Sequence, residues 1–251
     1  MLHEQAIYQH EAEQYQVERL DFENHKAYVT KVAPDYFTTA MVSRVVSIID
    51  ESASLLHGPS TLAWGEVSLV EKVTGYKKIK FHTHENAGYG DVRLPDMQMH
   101  TTSFWLTVPP AVFHDLGRAT AIDALGGLGR ALETVSTIAL MCEPRDIGQA
   151  LGDKGPGSAA PGAAGVQVAS PHFDPTLFLF DHVPGGVGLA ERIFEMGIEL
   201  LERTRCLVAA CPCEQGCPAC VGPQSATTPE MPPALGRKQA AMRMLGAVLG
   251  G

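Results

Sequence analysis

The chain has 251 residues, 45% of them apolar and 19% charged, the composition of a folded domain rather than of a disordered tail. A formal charge of −9 excludes nucleic-acid binding through a basic field over the whole surface, so any such contact has to be local. No run of eighteen apolar residues occurs, which excludes a transmembrane helix. The opening MLHEQAIYQHEAEQ has neither region of a secretory signal, so a cytoplasmic location with reduced thiols and no membrane partner is expected.

In chain order the first hundred residues read as β. AIYQHEAEQYQVERLDFENHKAYVTKV alternates apolar and polar residues, with DFENHK as the turn between two strands. FTTAMVSRVVSIIDES and TLAWGEVSLVEKVTGYKKIKFHT are further strand-like runs, punctuated by HGPS and VTGYK. ENAGYGDVRLPDMQMHTTSFWLTVPP reads as a loop and then a strand ending at Pro109. Short strands with regular turns predict a small antiparallel barrel or rolled sheet over residues 1–109. Within it, EKVTGYKKIK places Lys72, Lys77, Lys78 and Lys80 around Tyr76, the one compact basic stretch and the candidate contact for DNA. A solvated strand face explains the same pattern.

After Pro109 the apolar spacing turns helical, so residues 110–251 are expected to form a mainly helical domain with a short β element. AVFHDLGRATAIDALGGLGRALETVSTIALMCE is helical, with Gly126 and Gly127 expected to separate two helices or kink one. Residues 151–171, rich in Gly, Ala and Pro, are expected to be a mobile loop. TLFLFD is strand-like and HVPGGVG a tight turn. LAERIFEMGIELLERTRCLVAA is then one amphipathic helix with Leu189, Ile193, Met196, Leu200 and Leu201 on a face. PPALGRKQAAMRMLGAVLG closes the chain as a last helix.

CPCEQGCPACVGP, residues 211–223, holds four of the six cysteines. Cys211, Cys213, Cys217 and Cys220 have the spacing C-x-C-x3-C-x2-C, and four converging thiolates satisfy tetrahedral zinc. Pro212 and Pro218 stiffen the segment, and Gly216 permits a positive φ just before Cys217. An iron–sulfur cluster uses the same ligands, and a set of reduced buried thiols is the bland reading. No His lies inside the cluster, which disfavours a catalytic zinc with an open position; the metal is expected to be structural. Cys206 reads as a packed thiol. Cys142 reads as a core residue, and as the substitute if one of the four is not a ligand.

Other chemistry is sparse. No G-x-x-x-x-G-K phosphate loop occurs, nor G-x-S-x-G, nor H-E-x-x-H. The glycines of PGGVG could offer backbone N–H groups to an anion, but a strand-to-helix turn explains them better. His82, His84 and Glu85 read as an exposed strand edge. No catalytic residue is assigned, so the chain on its own is not expected to be an enzyme.

LFLFDHVPGGVGLAERIF followed by CPCEQGCPACVGP resembles the C-terminal zinc-binding domain of the mitomycin repair factor A family, superfamily 2 DNA helicases. Asp181, Pro184, Gly185, Gly186, Gly188 and Leu189 match the family's glycine turn, and the four cysteines follow one helix later. Asp146, Ile147 and Gly148 match a further segment. The β half is similar to the family's β domain through AIYQHEAEQYQVERLDFENHKAYV, DYFTTA, WGEVSLVEKVTGYKKIKFHTHE and TTSFWLTVP. Arg130 departs from the pattern, where His is expected, and both RecA-like domains are missing. The resemblance implies an accessory region of an ATP-dependent 3′–5′ DNA helicase of repair. It also implies the helicase motor domains and single-stranded DNA as partners, a structural zinc, and Asp181, Gly185 and Gly186 as a structural turn. A stand-alone zinc-dependent protein-interaction module is the alternative that the acidic balance favours.

Overall fold

The computed structural model describes residues 2–109, 112, 116–153, 175–222 and 235–250. Nine strands and four helices are formed among them, and the chain divides into two compact units. One comprises Met1–Arg44 and Val70–Gln98; the other comprises Val45–Leu69 and Met99–Gly251. The expected α+β class, an antiparallel β half followed by a mainly helical half, is borne out.

In the first unit, β1 (Ile7–His10), β2 (Glu13–Asp21) and β3 (Lys26–Lys31) form an antiparallel sheet in that order. DFENHK is the turn between β2 and β3, fastened by the Asn24 N–H donating to the Asp21 carboxylate at 3.1 Å. A second hairpin precedes it. Glu11 (φ 50) and Ala12 (φ 63) turn the chain between β1 and β2, with no glycine to announce the turn. The unit is completed by parts of two long strands, β4 (Tyr36–His57) and β5 (Ser60–Lys80), and by β6 (Asn86–Gly90) inside the expected loop. VTGYK does not interrupt β5. Gly75 lies within the strand, where a Cβ would stand 2.8 Å from the Gly90 carbonyl oxygen, so the glycine serves close approach rather than a turn. Ala6, Val17, Val73 and Tyr76 are buried here, and the His3 ring stacks on Tyr76 at 4.8 Å.

In the second unit the strand order is β4-β5-β7-β9-β8, with β7 at Met97–Thr107, β8 at Ile147–Asp153 and β9 at Pro175–Asp181. β9 is buried at every residue, which is why TLFLFD is continuously apolar instead of alternating. Leu177 and Leu179 face a core with Phe104, Leu106 and the helices. Phe178 and Phe180 face another with Trp105, Val67 and Leu69. β8 occupies the start of the expected loop; the rest of residues 151–171 lies outside the described residues.

The helices are α1 (Arg118–Leu140), α2 (Leu189–Glu195), α3 (Gly197–Ala210) and α4 (Arg237–Leu249). Gly126 and Gly127 do not separate two helices, since α1 runs through both. They are places where other chain segments come close. A Cβ on Gly126 would stand 3.1 Å from Arg237 Nη2, and one on Gly127 would stand 3.0 Å from Arg237 Nε and 3.2 Å from Val221 Cβ. The helix forgoes about 1 kcal/mol per glycine in propensity to admit these contacts. The single helix expected over 189–209 is broken at Met196 (φ −94, ψ 4). There Gly197 lets α3 approach Leu62, which a Cβ would meet at 2.8 Å.

Candidate metal centre

Leaving α3, the backbone becomes extended at Cys211 (φ −66, ψ 130), the conformation that the following Pro212 favours in the residue before it. Gly216, at φ 110, then turns the chain. A Cβ there would stand 2.8 Å from Val221 Cγ2 and 3.1 Å from the Lys238 backbone nitrogen, so glycine is required by space as well as by φ. The second pair sits on a tight turn in which the N–H groups of Cys220 and Val221 both donate to the Cys217 carbonyl at 3.1 Å.

These turns bring the four sulfurs within 4.8 Å of one another. Cys211 and Cys217 lie 3.6 Å apart, Cys213 and Cys220 3.5 Å, and Cys217 and Cys220 3.7 Å. A mononuclear tetrahedral site with metal–sulfur bonds near 2.3 Å has sulfur–sulfur edges of about 3.8 Å. The donor set therefore fits one ion. An iron–sulfur cluster interposes several metals and sulfides and needs its cysteines wider apart. Four sulfur donors also leave a tetrahedral ion no open position for substrate. Cys142, considered as a substitute ligand, stands apart at the end of α1, half-buried against the main core.

The centre lies where three helices meet. Cys220 and Val221 are buried with Ala131 of α1, Val208 of α3 and Ala241 of α4. The Lys238 backbone N–H donates to the Gln215 carbonyl at 3.0 Å, and α4 has no side-chain cap of its own. Arg237, 7% exposed, donates from Nε to the Asp123 carbonyl of α1 at 3.1 Å. Burial lowers its pKa, and the nearby Asp123 carboxylate opposes that.

The thiols are not equivalent as acids. Desolvation first, then hydrogen bonds with Cys220, Cys211 and Cys217, push Cys213 up to about 12. Backbone N–H groups of Ala219 and then Cys220 bring Cys217 down to about 7. At neutral pH the metal-free cluster therefore holds protons that a metal must displace. Apparent affinity should rise about tenfold or more per pH unit between 6 and 8, most steeply below 7, where Cys217 is also protonated. Chelator competition across that range checks it; a flat profile would contradict the proton count.

The remaining predicted residues fall elsewhere. The Asp181 carboxylate is 1% exposed and accepts backbone N–H bonds from Val187 (2.6 Å), Leu189 (3.2 Å) and Ala190 (3.0 Å). Within PGGVG the N–H groups of Gly185, Gly186 and Val187 are already taken, by the His100 carbonyl, the Val183 carbonyl and the Asp181 carboxylate, which disfavours the anion-site reading. Gly185 and Gly186 have φ of 81 and 74, and a Cβ on Gly186 would stand 2.2 Å from Thr102 Oγ1. In the first unit the four lysines do not form one patch. Lys77 and Lys78 are successive residues of β5 and project to opposite faces. Lys77 lies 5.9 Å from the ring of Tyr89, its partner on β6, and Lys78 lies 5.2 Å from that of Tyr36. Lys80 is 3.8 Å from the Glu85 carboxylate, and Lys72 is exposed. Tyr89, 62% exposed beside a cation, was not legible as a candidate because only the β5–β6 pairing puts the two together. Arg237 and Lys238 were missed for the same reason: no local spacing links them to the cysteines.

No helix among the described residues is long and apolar enough to cross a membrane. Residues 128–221 match the family model of the MrfA Zn-binding domain. The chain is 35% identical over 223 residues to the ATP-dependent helicase YprA of Bacillus subtilis (strain 168), covering 88% of this chain and 28% of that protein. A crystal structure of the DUF1998 helicase MrfA bound to DNA is similar at a TM-score of 0.62 and 32% identity, covering 98% of this chain and 30% of that one. A second crystal structure of the DUF1998 helicase MrfA gives 0.60 and 27%, with 98% and 29% covered. The chain thus spans under a third of the length of these relatives.

Proposed function

Because this chain resembles the C-terminal β and zinc-binding region of MrfA-like helicases, we propose that it serves as a non-catalytic accessory region of an ATP-dependent 3′–5′ DNA helicase of repair. In this reading the four cysteines hold a structural zinc, and the β unit guides single-stranded DNA beside motor domains in the cytoplasm. The observation that carries it is the convergence of four thiols, at tetrahedral edge distances, where α1, α3 and α4 meet. Such a site staples a scaffold and leaves no position for a reacting water. When bound, zinc supplies a fixed charge and four bonds; the chain's residues hold the surrounding surface rigid. Guidance of a strand draws on Lys77 for phosphate and on the exposed Tyr89 ring beside it for bases.

Fluorescence anisotropy with a labelled single-stranded oligonucleotide tests the DNA half of this reading. The wild type should bind with an affinity that falls with salt. The variant K77A should bind more weakly and lose about 0.7 from the log–log salt slope, the share of one phosphate contact. Binding that is unchanged in both respects would remove Lys77 from the reading. No binding by the wild type at low salt would favour the second reading, a zinc-dependent protein-interaction module, to which the −9 charge is better suited.

A further inference from the structure

We infer that Lys238 is a positioning residue for the metal centre, whose ammonium holds the Cys211–Cys213 ligand pair in place and offsets the charge of the bound thiolates. The inference rests on the zinc reading above and adds to it a residue outside the four ligands. Lys238 Nζ donates to the Cys211 carbonyl at 2.6 Å and to the Cys213 carbonyl at 3.0 Å. These two carbonyls flank Pro212, in a stretch with neither helix nor strand to fix it. Two bonds from one ammonium set the spacing of the two peptide groups, and with it the direction of both Cβ–Sγ bonds. The contact is part-buried, so both bonds are shielded from competition by water.

A second observation points the same way. The first turn of α4 carries Arg237 and Lys238 and no acidic residue. The N-terminal end of a helix dipole disfavours cations, so two there call for nearby negative charge. Arg237 has Asp123 at 3.4 Å. Lys238 makes no ion pair with a carboxylate among the described residues; what lies beside it is the cysteine cluster. A divalent ion with four thiolates keeps two negative charges, and the ammonium is the cation placed to meet them. Its main chain serves the same end, since its N–H donates to Gln215 between the two cysteine pairs. Partners of this kind around a metal site are worth about 10–100-fold in affinity.

The test compares wild type, K238M and K238R in the full chain. Zinc affinity is read by chelator competition, ligand geometry by the cobalt(II) absorption spectrum, and fold by the thermal midpoint of metal-free protein. K238M should bind zinc about 10–100-fold more weakly and alter the cobalt spectrum, with its metal-free midpoint unchanged. K238R, which keeps the charge and the donors, should stay within about threefold of wild type. Wild-type affinity in K238M overturns the proposal. So does K238R as weak as K238M, and so does a metal-free midpoint lowered as far as the metal-bound one, which would make Lys238 a tether of the fold alone. A wild type that binds neither zinc nor cobalt instead sinks the zinc reading, and this inference with it.

Discussion

Cys217→Ser should reduce bound metal from about one ion per chain to a small fraction of that, and lower the thermal midpoint of the second unit by about 10 °C. Metal binding supplies about 10–16 kcal/mol to isolated zinc fingers, which have almost no other core. Here the helices also bury Leu128, Leu132, Leu200, Leu201 and Leu245, so only part of the fold depends on the ion. Freeing Cys220 and Val221 from their place among α1, α3 and α4 should still cost about 3 kcal/mol. At roughly 2–4 °C per kcal/mol for a unit of this size, that gives the stated shift. Trp64 and Trp105 both belong to the second unit, so tryptophan fluorescence reports on it without the first. A variant with wild-type metal content and midpoint would show that Cys217 is not a ligand that matters.

Asp181→Ala should be as costly by a different route. Its carboxylate is the acceptor for three backbone N–H groups at the start of α2, in a turn whose glycines hold left-handed φ values. Each buried donor left without a partner costs about 1–3 kcal/mol. Relaxation keeps the sum below three full penalties, so about 3–5 kcal/mol is expected. The effect should spread, because Thr101 donates to the Asp181 carbonyl at 2.7 Å and Ile147 of β8 is its partner in the sheet. Glu195→Ala is the control: it removes only an exposed partner of Arg192, and should change stability by less than about 1 kcal/mol. A urea midpoint for Asp181→Ala that matches this control would show the turn to be held by its glycines alone.

What could be read from the residues in advance follows a physical line. The cysteine cluster was legible because all four donors lie within one short segment, so spacing alone fixes their convergence. β9 was legible because a central strand covered on both faces has to be apolar throughout. The turn DFENHK was legible because Asp and Asn fasten turns through their own side chains. The glycines of α1 were misleading, since the sequence shows their cost to a helix and not the Arg237 and Val221 that approach them. The break at Met196 was hidden in the same way: apolar periodicity continues across it, and only Leu62, far back in the chain, gives Gly197 its purpose. β8 is the segment IGQALGD, whose small and polar residues carry little β signal; its pairing with β9 makes it a strand. Lys238 belongs with these, twenty-five residues beyond Cys213 and joined to it only by the packing of α4.

The measurement that decides most is elemental analysis of the purified chain, with a visible absorption spectrum of the same sample. About one zinc per chain with no visible absorption is the expected result. Iron with a brown absorbance would keep the four ligands but replace the mononuclear site. Folded protein with neither metal would contradict a metal-stapled helical unit outright.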